Sequence, residues 1–543
     1  MKKSSFLEGT FIATLSIIIV KFLGMLYVIP FYATVGVLGS ALYAYAYNIY
    51  IIFLDISSAG LPTAISKLIN EYNTLGQMDA KMRAYKIGKK LITFISVAVF
   101  VILFIFAKAI ATMIIGKITG GNTIEDVAFV IRCVSFAILV VPYLSVAKGY
   151  LQGHKIINVS SISQIIEQVI RITIILVGSY LGIKVLHLSL KNTIGIAVFG
   201  AFVSGLCALI YIFYKMNKNR EELGFNTKYE KDNVTNKEIV KKIINYAVPF
   251  IIIDIAVSIY NFIDMVLIMR TLNYLNLDAK TIEFSATAIT TWSAKIGMVV
   301  NSVAMGMSVS LIPTIVSAYT LKKWKEVNDK LNQALQLILI SSVPMVIGIC
   351  LLSKPIWSVF YEYNVNGAII LSTHIFTSLF FNIYVITSST LQSLNKFKAV
   401  YISTLTGFFI NALLDVPLML LFNKLGLRPY LGAVLATCIG YFISVMLALK
   451  KLKDDHKLSY KKTFDVLLKI IFSTVIMTAV VLIVEKLIII DFNSKLQSLL
   501  YIIIIALIGV LVYAISAYKT NLIKDVFGEE YLKKIKRKLT HKR

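Results

Sequence analysis

The stretch LPTAIS at residues 61–66 recurs in the second half of the chain as IPTIVS at residues 312–317. A second pair of similar stretches, LQGHK at residues 151–155 and LQSLNK at residues 391–396, follows in the same order. Internal repeats of this kind indicate two similar lobes joined in tandem. Many membrane transporters are built in this way.

The composition identifies the solvent in which the chain folds. Hydrophobic residues make up 58% of the 543 residues, charged residues make up 15%, and the mean hydropathy is +0.79. Such a chain is too apolar for a soluble globular protein, so we predict a membrane protein. In a membrane protein, the role of the +27 net charge depends on how the positive residues are distributed between the two sides of the membrane.

The chain contains about fourteen apolar segments that are long enough to cross a lipid bilayer. We therefore predict an all-α polytopic membrane protein with about fourteen transmembrane helices. An even number of spans places both termini on the same side. The segments, numbered as spans 1 to 14, lie near residues 10–33, 41–66, 91–115, 126–150, 157–181, 193–214, 243–270, 285–318, 331–352, 366–392, 399–423, 430–450, 465–490 and 497–517.

Positive residues are unevenly distributed among the connecting segments. Lys and Arg are concentrated after spans 2, 6, 8 and 12 and in the tail at residues 519–543, whereas the loops at 34–40 and 116–126 are nearly free of them. Basic loops remain in the cytoplasm, so we predict that both termini are cytoplasmic. We predict that the basic tail contacts anionic lipid headgroups and not nucleic acid.

The repeat also predicts how the lobes are related. Matching stretches are offset by six spans, an even number, so both lobes have the same orientation in the membrane. We predict two six-helix lobes related by a pseudo-two-fold axis along the membrane normal, with a polar cavity between them, plus two extra C-terminal helices. The predicted domains are an N-terminal lobe at 1–218, a cytoplasmic linker at 219–242, a C-terminal lobe at 243–452, spans 13 and 14 at 463–518, and the basic cytoplasmic tail at 519–543.

Charged residues within spans are candidate functional groups, because each costs about 2.5 to 3.5 kcal/mol at the centre of a membrane helix. Span 5 carries Glu167 and Arg171 four residues apart, on one helical face, where they can form an ion pair. Two interpretations remain open for this pair. It is either a structural lock within the bundle or part of a substrate site, in which Arg171 binds an anion.

Other intramembrane charges have no evident local partner in the sequence. A polar cavity that binds a substrate or a coupling cation, Na⁺ or H⁺, accounts for them. In this interpretation the cations bind substrate, and the acids, Glu167 included, couple transport to an ion. These residues are Lys21 in span 1, Asp55 in span 2, Asp254 and Asp264 in span 7, Lys295 in span 8 and Asp415 in span 11.

Two prolines of the repeat are candidate hinges. Pro62 follows Gly60 in span 2, and Pro313 lies a few residues after Gly306 in span 8. Such residues bend or break a helix by removing a backbone donor. The alternative to a hinge is a packing kink that does not move.

The sequence lacks the motifs of an enzyme. It has no GxxxxGK[ST] phosphate loop, its four cysteines stand singly, and its five histidines are dispersed without metal-ligand spacing. We predict a transporter and not an enzyme, with no metal site and no cofactor. An ion gradient or the membrane potential would drive it.

Several stretches resemble a known family. They are FLEGTFIATLSIIIVKFLGMLYVIPFY at 6–32, ALY at 41–43, SAGLPTAISK at 58–67, and LQG at 151–153 leading to SQIIEQVIR at 163–171. The chain resembles the polysaccharide-transporter branch of the multidrug/oligosaccharidyl-lipid/polysaccharide flippase superfamily. Within this branch it is most similar to the lipid II flippases of Gram-positive bacteria and their sporulation relatives.

The resemblance implies a fold and a mechanism. Such flippases have two six-helix lobes around a cationic cavity, and two extra helices whose groove holds the polyprenyl tail. They move undecaprenyl-pyrophosphate-linked sugars to the outer leaflet by alternating access. The family's essential cations in spans 1 and 8 match Lys21 and Lys295, and its acid in span 2 matches Asp55. Lysine keeps the charge of the arginine found in many relatives but loses the bidentate fork.

We therefore predict a flippase for lipid II, the undecaprenyl-pyrophosphate-linked peptidoglycan precursor. The partners expected are this glycolipid, anionic membrane lipids and proteins of cell-wall synthesis, and the protein is expected to be a monomer. Three alternatives remain: a flippase for another undecaprenyl-linked polysaccharide unit, a cation-coupled multidrug exporter, and a non-transporting scaffold of the wall-synthesis machinery.

Overall fold

A computed structural model describes residues 6–58, 60–225, 229–456, 458–488 and 490–527. Every regular element in these ranges is a helix, as expected for a chain that folds in lipid, where a helix satisfies its backbone hydrogen bonds within one segment. The predicted all-α class is confirmed.

The chain divides into two compact units, Met1–Thr291 and Trp292–Arg543. Two short π-helical segments, Leu181–Val185 and Ala288–Trp292, interrupt the helical pattern. The helices of the first unit are α1 (Phe6–Leu26), α2 (Val28–Ser58), α3 (Leu61–Thr74), α4 (Met78–Ile115), α5 (Ile124–Ser135), α6 (Ala137–Gly153), α7 (Ile157–Tyr180), α8 (Leu190–Lys218), α9 (Asn236–Tyr274) and α10 (Ala279–Thr287).

The second unit is also helical throughout the residues described. Its helices are α11 (Ser293–Thr320), α12 (Trp324–Leu351), α13 (Ser353–Phe360), α14 (Val365–Ser393), α15 (Phe397–Lys424), α16 (Tyr430–His456), α17 (Lys461–Leu487), α18 (Lys495–Lys519) and α19 (Leu522–Phe527).

Within the described ranges, eleven helical stretches are long and apolar enough to cross a membrane, judged by length and composition. The chain is therefore a multi-pass membrane protein. The count of fourteen spans stays a prediction.

The connection predicted as a loop at residues 34–40 is instead a helical kink, and the loop prediction was wrong. Helix α2 runs from Val28 to Ser58 and contains a single non-helical residue, Gly36, with φ 68° and ψ −166°. Glycine adopts this left-handed φ without the steric cost of a Cβ atom. One residue is therefore sufficient to redirect the chain.

The candidate hinge at Gly60 and Pro62 coincides with a break between two helices. Helix α2 ends at Ser58, Gly60 has a left-handed φ of 72°, and α3 begins at Leu61 with Pro62 in its first turn. Proline is tolerated there because the first turn leaves its N–H groups unpaired. A Cβ atom at Gly149 of α6 would lie 2.5 Å from the Pro62 carbonyl oxygen, so α6 packs closely against this break.

The corresponding part of the second unit has a different backbone. Helix α11 continues through Gly306 and Pro313 without interruption. The two halves of the repeat are thus similar in sequence but differ in local structure. A hinge role stays a prediction for all four residues.

Helix α9 packs within the first unit, against α2, α3 and α4. Its first residues come from the predicted linker at 219–242. An ion pair of 2.6 Å joins Lys242 Nζ to Glu71 Oε1 of α3, and the buried Ile239, Ile243 and Ala247 enter the same hydrophobic core as α3, α4 and α6.

Candidate functional site

A charged cluster lies inside the first unit, where α6 meets α7. Glu167 accepts from Lys148 Nζ at 3.1 Å on Oε2 and from Arg171 Nη2 at 2.5 Å on Oε1. The three side chains are only 12–17% exposed. We call Lys148, Glu167 and Arg171 the charged triad. The predicted pair of Glu167 and Arg171 is present, and Lys148 joins it, so the cluster carries two positive charges and one negative.

Lys148 was not among the residues predicted from the sequence. Glu167 and Arg171 are visible as a pair because they share one helix at a spacing of four residues. Lys148 lies on a different helix, near the end of span 4, where a lysine is expected to reach the membrane interface. Only the packing of α6 against α7 turns it towards Glu167.

A row of tyrosines on α2 lies beside the charged triad. The rings of Tyr43 and Tyr47 are stacked with centroids 6.0 Å apart, and the centroids of Tyr47 and Tyr50 are 6.2 Å apart. All three tyrosines interact electrostatically with Arg171. The triad is therefore flanked by aromatic rings that carry polar hydroxyl groups, which combine apolar contact area with hydrogen-bonding capacity.

Lys21 lies on α1, which packs against α7, the helix that carries Glu167 and Arg171. A Cβ atom at Gly24 would lie 3.2 Å from Gln168 Nε2, so this glycine allows α1 to approach α7 beside Glu167. Lys21 precedes Gly24 by three residues and shares its helical face. The predicted cation of span 1 is half-buried and lies on the helix adjacent to the one that carries Arg171.

Two of the predicted acids are brought together between α2 and α9. The Ser258 hydroxyl donates a hydrogen bond to Asp55 Oδ2, and the carboxylates of Asp55 and Asp254 interact electrostatically. Asp254 lies one helical turn before Ser258 on α9, and neighbouring carboxylates repel each other unless one is protonated or binds a cation. Asp264 lies ten residues further along α9 and is buried.

A buried acid that the sequence analysis missed lies on α10. Glu283 is fully buried and accepts hydrogen bonds from the Asn122 backbone nitrogen at 2.6 Å and from Asn122 Nδ2 at 2.5 Å. The Tyr45 side chain lies in the same neighbourhood and interacts electrostatically with Glu283. A Cβ atom at Gly121 would lie 1.9 Å from Glu283 Oε1, so a larger residue here would displace the Glu283 carboxylate. The loop between α4 and α5 is therefore tied to α10.

The second unit contains the remaining predicted residues. Lys295 is half-buried near the start of α11, one turn after Trp292. Asp415 and Asn411 lie four residues apart on α15, and both are fully buried. They share one helical face, which supplies a carboxylate and an amide to the interior of this unit.

An apolar groove of about 350 Å³ lies between α11, α12, α13, α17 and α18 of the second unit. Val299, Met345, Ile356, Met477 and Ile505 each contribute to its wall from a different helix. Pro344 and Gly348 of α12 also line it. Such a groove provides contacts for an apolar chain and few hydrogen-bond partners.

Comparison with known proteins identifies the family. The family model described as polysaccharide biosynthesis protein matches residues 6–319. The chain is 31% identical to the lipid II flippase MurJ of Bacillus subtilis (strain 168), over 97% of each protein. The chain belongs to the polysaccharide biosynthesis protein family.

Further matches place this family member in the flippase superfamily predicted from the sequence, which is confirmed. The MatE family model matches residues 249–416. The stage V sporulation protein B of Bacillus subtilis (strain 168) is 23% identical, with 82% of this chain and 83% of that protein covered.

Solved structures share the fold of this family member. A lipid II flippase MurJ in an inward closed conformation has a TM-score of 0.68 at 18% identity, with 95% of this chain and 100% of that chain covered. A multidrug resistance MATE family transporter of the MOP superfamily in an inward-facing conformation has a TM-score of 0.64 at 16% identity, with 81% and 96% covered.

Within the part of the chain that the structure describes, no group of three or more His, Cys, Asp or Glu side chains could hold a metal ion.

Replacing Glu283 with alanine is expected to destabilise the protein. The substitution leaves the buried Asn122 backbone N–H and side-chain amide without an acceptor, at a cost of about 3 kcal/mol. Glu125→Ala is the control, because its carboxylate pairs with Lys108 at 2.6 Å on an exposed surface. Such a pair contributes about 0 to 1 kcal/mol. Thermal unfolding of the purified proteins in detergent measures the difference, and equal shifts for both variants would contradict the buried role of Glu283.

Proposed function

We propose that this protein is a flippase that moves lipid II from the cytoplasmic to the outer leaflet of the bacterial plasma membrane. The observation that carries the proposal is the 31% identity with the lipid II flippase MurJ, which extends over 97% of both proteins. The relatives named above include a lipid II flippase and a multidrug resistance transporter, so we infer that the protein is a transporter and not an enzyme. Its substrate is a lipid-linked glycolipid.

The physical task of a lipid II flippase is to shield a charged head while the tail remains in lipid. The sugar-diphosphate head cannot cross the hydrocarbon unaided, because its charge and polar groups would lose their hydration. We propose that Lys21 and Lys295 contact the diphosphate, because cations in a region of low dielectric bind anions strongly. Arg171 is the third candidate cation.

We propose that the apolar groove beside α17 and α18 holds part of the polyprenyl tail. The groove is lined by aliphatic and methionine side chains from five helices. Burial of a hydrocarbon chain there is nearly neutral relative to lipid, so the groove orients the tail more than it binds it.

We propose that an ion gradient or the membrane potential drives alternating access. Asp55 and Asp254 are the strongest candidates for coupling, because two interacting carboxylates with the adjacent Ser258 hydroxyl offer oxygen ligands to H⁺ or Na⁺. Asp264, Asp415 and Glu167 remain further candidates. Anionic lipids and cell-wall synthesis proteins are proposed partners of a monomeric flippase.

A flippase for another undecaprenyl-linked polysaccharide unit shares all of these features, and only substrate assays separate it from a lipid II flippase. A cation-coupled multidrug exporter is supported by the similarity to MATE structures, which cover 81–84% of this chain. The match to the MurJ structure covers 95% of it. This more complete match favours the flippase.

The proposed orientation predicts which loops are accessible from outside the cell. In a background that lacks the four native cysteines, Lys117→Cys in the loop after α4 is expected to react with a membrane-impermeant maleimide in intact cells. Lys231→Cys, in the basic segment before α9, is expected to react only after permeabilisation. Both positions are exposed in the structure. The reverse pattern would mean that the termini lie outside.

The proposed substrate predicts rescue of a bacterium depleted of its own lipid II flippase. The wild type is expected to restore access of an externally added lipid II-cleaving toxin, whereas Lys21→Ala and Lys295→Ala are expected to reduce it about tenfold or more through loss of charge-assisted contacts. Lys21→Arg keeps the charge and is expected to retain activity. Lys280→Ala, at an exposed position, is the matched control.

Failure of the well-expressed wild type to restore access would exclude lipid II as the substrate. Capsule-type precursors and drugs would then be tested next. Equal activity of Lys21→Ala and Lys280→Ala would instead leave the lipid II assignment intact and would show that Lys21 does not bind the substrate.

The coupling proposal predicts that transport by Asp254→Asn no longer responds to an ion gradient or to the membrane potential. In proteoliposomes, wild-type transport of lipid II is expected to accelerate when a Na⁺ gradient, a pH gradient or a membrane potential is imposed. Asp254→Asn and Asp55→Asn are expected to lose this response, because an amide carries no charge to neutralise. Asp329→Asn, at an exposed position paired with Lys462, is the control. An unchanged response in both variants would exclude this pair of acids.

A further inference from the structure

The charged triad has an excess of positive charge in the interior of the first unit. Glu167 is shared by Lys148 and Arg171, so one negative charge faces two positive charges. An unbalanced charge at membrane depth is costly, and such residues are retained mainly where they have a function. A purely structural ion pair would be balanced, and its two partners would be sufficient.

Two buried donors beside the triad lack an acceptor. Among the residues that the structure describes, Arg171 Nε and the Tyr50 hydroxyl are buried and have no hydrogen-bond partner. Tyr50 interacts electrostatically with both Arg171 and Glu167, so the two donors belong to one neighbourhood. Buried donors are nearly always paired in proteins, and each exception calls for an explanation.

The geometry at Arg171 indicates the kind of acceptor. Guanidinium presents several donors in a planar fork that matches the two oxygens of a carboxylate or a phosphate. Glu167 binds Nη2 through Oε1, while its second oxygen is occupied by Lys148. The carboxylate therefore uses only part of the fork. A tetrahedral anion with several oxygens can engage Nε, Nη2 and Lys148 together.

We propose that Lys148, Arg171 and the Tyr50 hydroxyl form a phosphate-binding subsite in which Glu167 occupies the position of the phosphate until the substrate arrives. The proposal rests on the proposed function, because the phosphate is part of the diphosphate of a lipid-linked substrate. Glu167 is displaced from Arg171 when the diphosphate binds. It returns when the substrate leaves, which keeps the empty site from exposing two bare cations to the membrane interior.

The role of Glu167 as a competitor distinguishes this subsite from an ordinary structural ion pair. The carboxylate and the phosphate compete for the same donors, so removal of the carboxylate charge is expected to strengthen anion binding. Removal of either cation is expected to weaken it. If the triad only held α6 against α7, removal of any of its members would destabilise the protein and none would tighten binding.

The test measures binding of undecaprenyl diphosphate to the purified full-length protein in nanodiscs. Glu167→Gln is expected to lower the Kd about fivefold, whereas Lys148→Gln and Arg171→Gln are expected to raise it about tenfold, as for the loss of one charge-assisted hydrogen bond. Glu125→Gln is the matched control, because it removes a carboxylate from an exposed ion pair of the same unit. Its Kd is expected to equal that of the wild type.

A double variant separates competition from stability. Glu167→Gln combined with Lys148→Gln is expected to bind more tightly than Lys148→Gln alone, because the competitor is absent while Arg171 remains. Should Glu167→Gln unfold, Glu167→Asp replaces it, because the shorter side chain reaches Arg171 less well and is also expected to tighten binding. Thermal unfolding is recorded for each variant.

The ligands used identify which part of the substrate is bound. Inorganic pyrophosphate tests the charged group alone, undecaprenyl monophosphate tests the lipid with one phosphate, and lipid II tests the complete molecule. A subsite for the diphosphate predicts that the Kd values of the variants rank in the same order with inorganic pyrophosphate and with undecaprenyl diphosphate. If the Kd values differed among the variants only with lipid II, the residues would contact the glycan and the proposal would be overturned.

The outcomes separate this proposal from the proposed function. If wild type moves lipid II but a folded Glu167→Gln binds diphosphate no more tightly than wild type, the subsite is wrong and the flippase assignment stands. If the variants change the Kd as expected while lipid II is not moved in cells, the subsite stands and the glycan assignment fails.

Discussion

The structure depends on one constraint, which is that each charge inside an apolar helical bundle must find its partner within the protein. Glu167 meets this requirement for two cations at once and thereby joins α6 to α7. Ser258 meets it for Asp55 between α2 and α9, and Asn122 meets it for Glu283 between a loop and α10. Buried polar contacts of this type add little net stability but are strongly directional. They therefore select one arrangement of helices among many with similar apolar contacts.

The two compact units differ in the surroundings that their interiors provide. The first unit has the charged triad, the tyrosine row and the broken helix at Gly60, whereas the second unit has an uninterrupted α11 and the apolar groove. A lipid-linked glycan has a charged head and a long hydrocarbon tail, which require different surroundings. The groove is built partly from α17 and α18, which follow the repeated segments, so the repeat alone does not account for both environments.

Helix α9 shows how tertiary contacts can differ from the repeat. By sequence it is the first span of the second lobe, yet its contacts are with α2, α3 and α4, and an ion pair between Lys242 and Glu71 anchors its start. The compact units accordingly divide after Thr291. The predicted boundary at residues 219–242 follows from the internal repeat and stays a prediction. The internal repeat reflects the origin of the chain, whereas the contacts show which helices pack together.

The class of protein, its helical content, its flippase superfamily and the pair of Glu167 and Arg171 could all be predicted from the sequence. Each of these follows from composition, local spacing or similarity along one segment. Three other features became visible only in the folded protein. Lys148 joins the pair, and Asn122 donates hydrogen bonds to Glu283. Residues 34–40 form a helical kink and not a loop. These features depend on contacts between helices far apart in the chain or on the φ angle of a single glycine. Neither leaves a periodic pattern that can be recognised in the sequence.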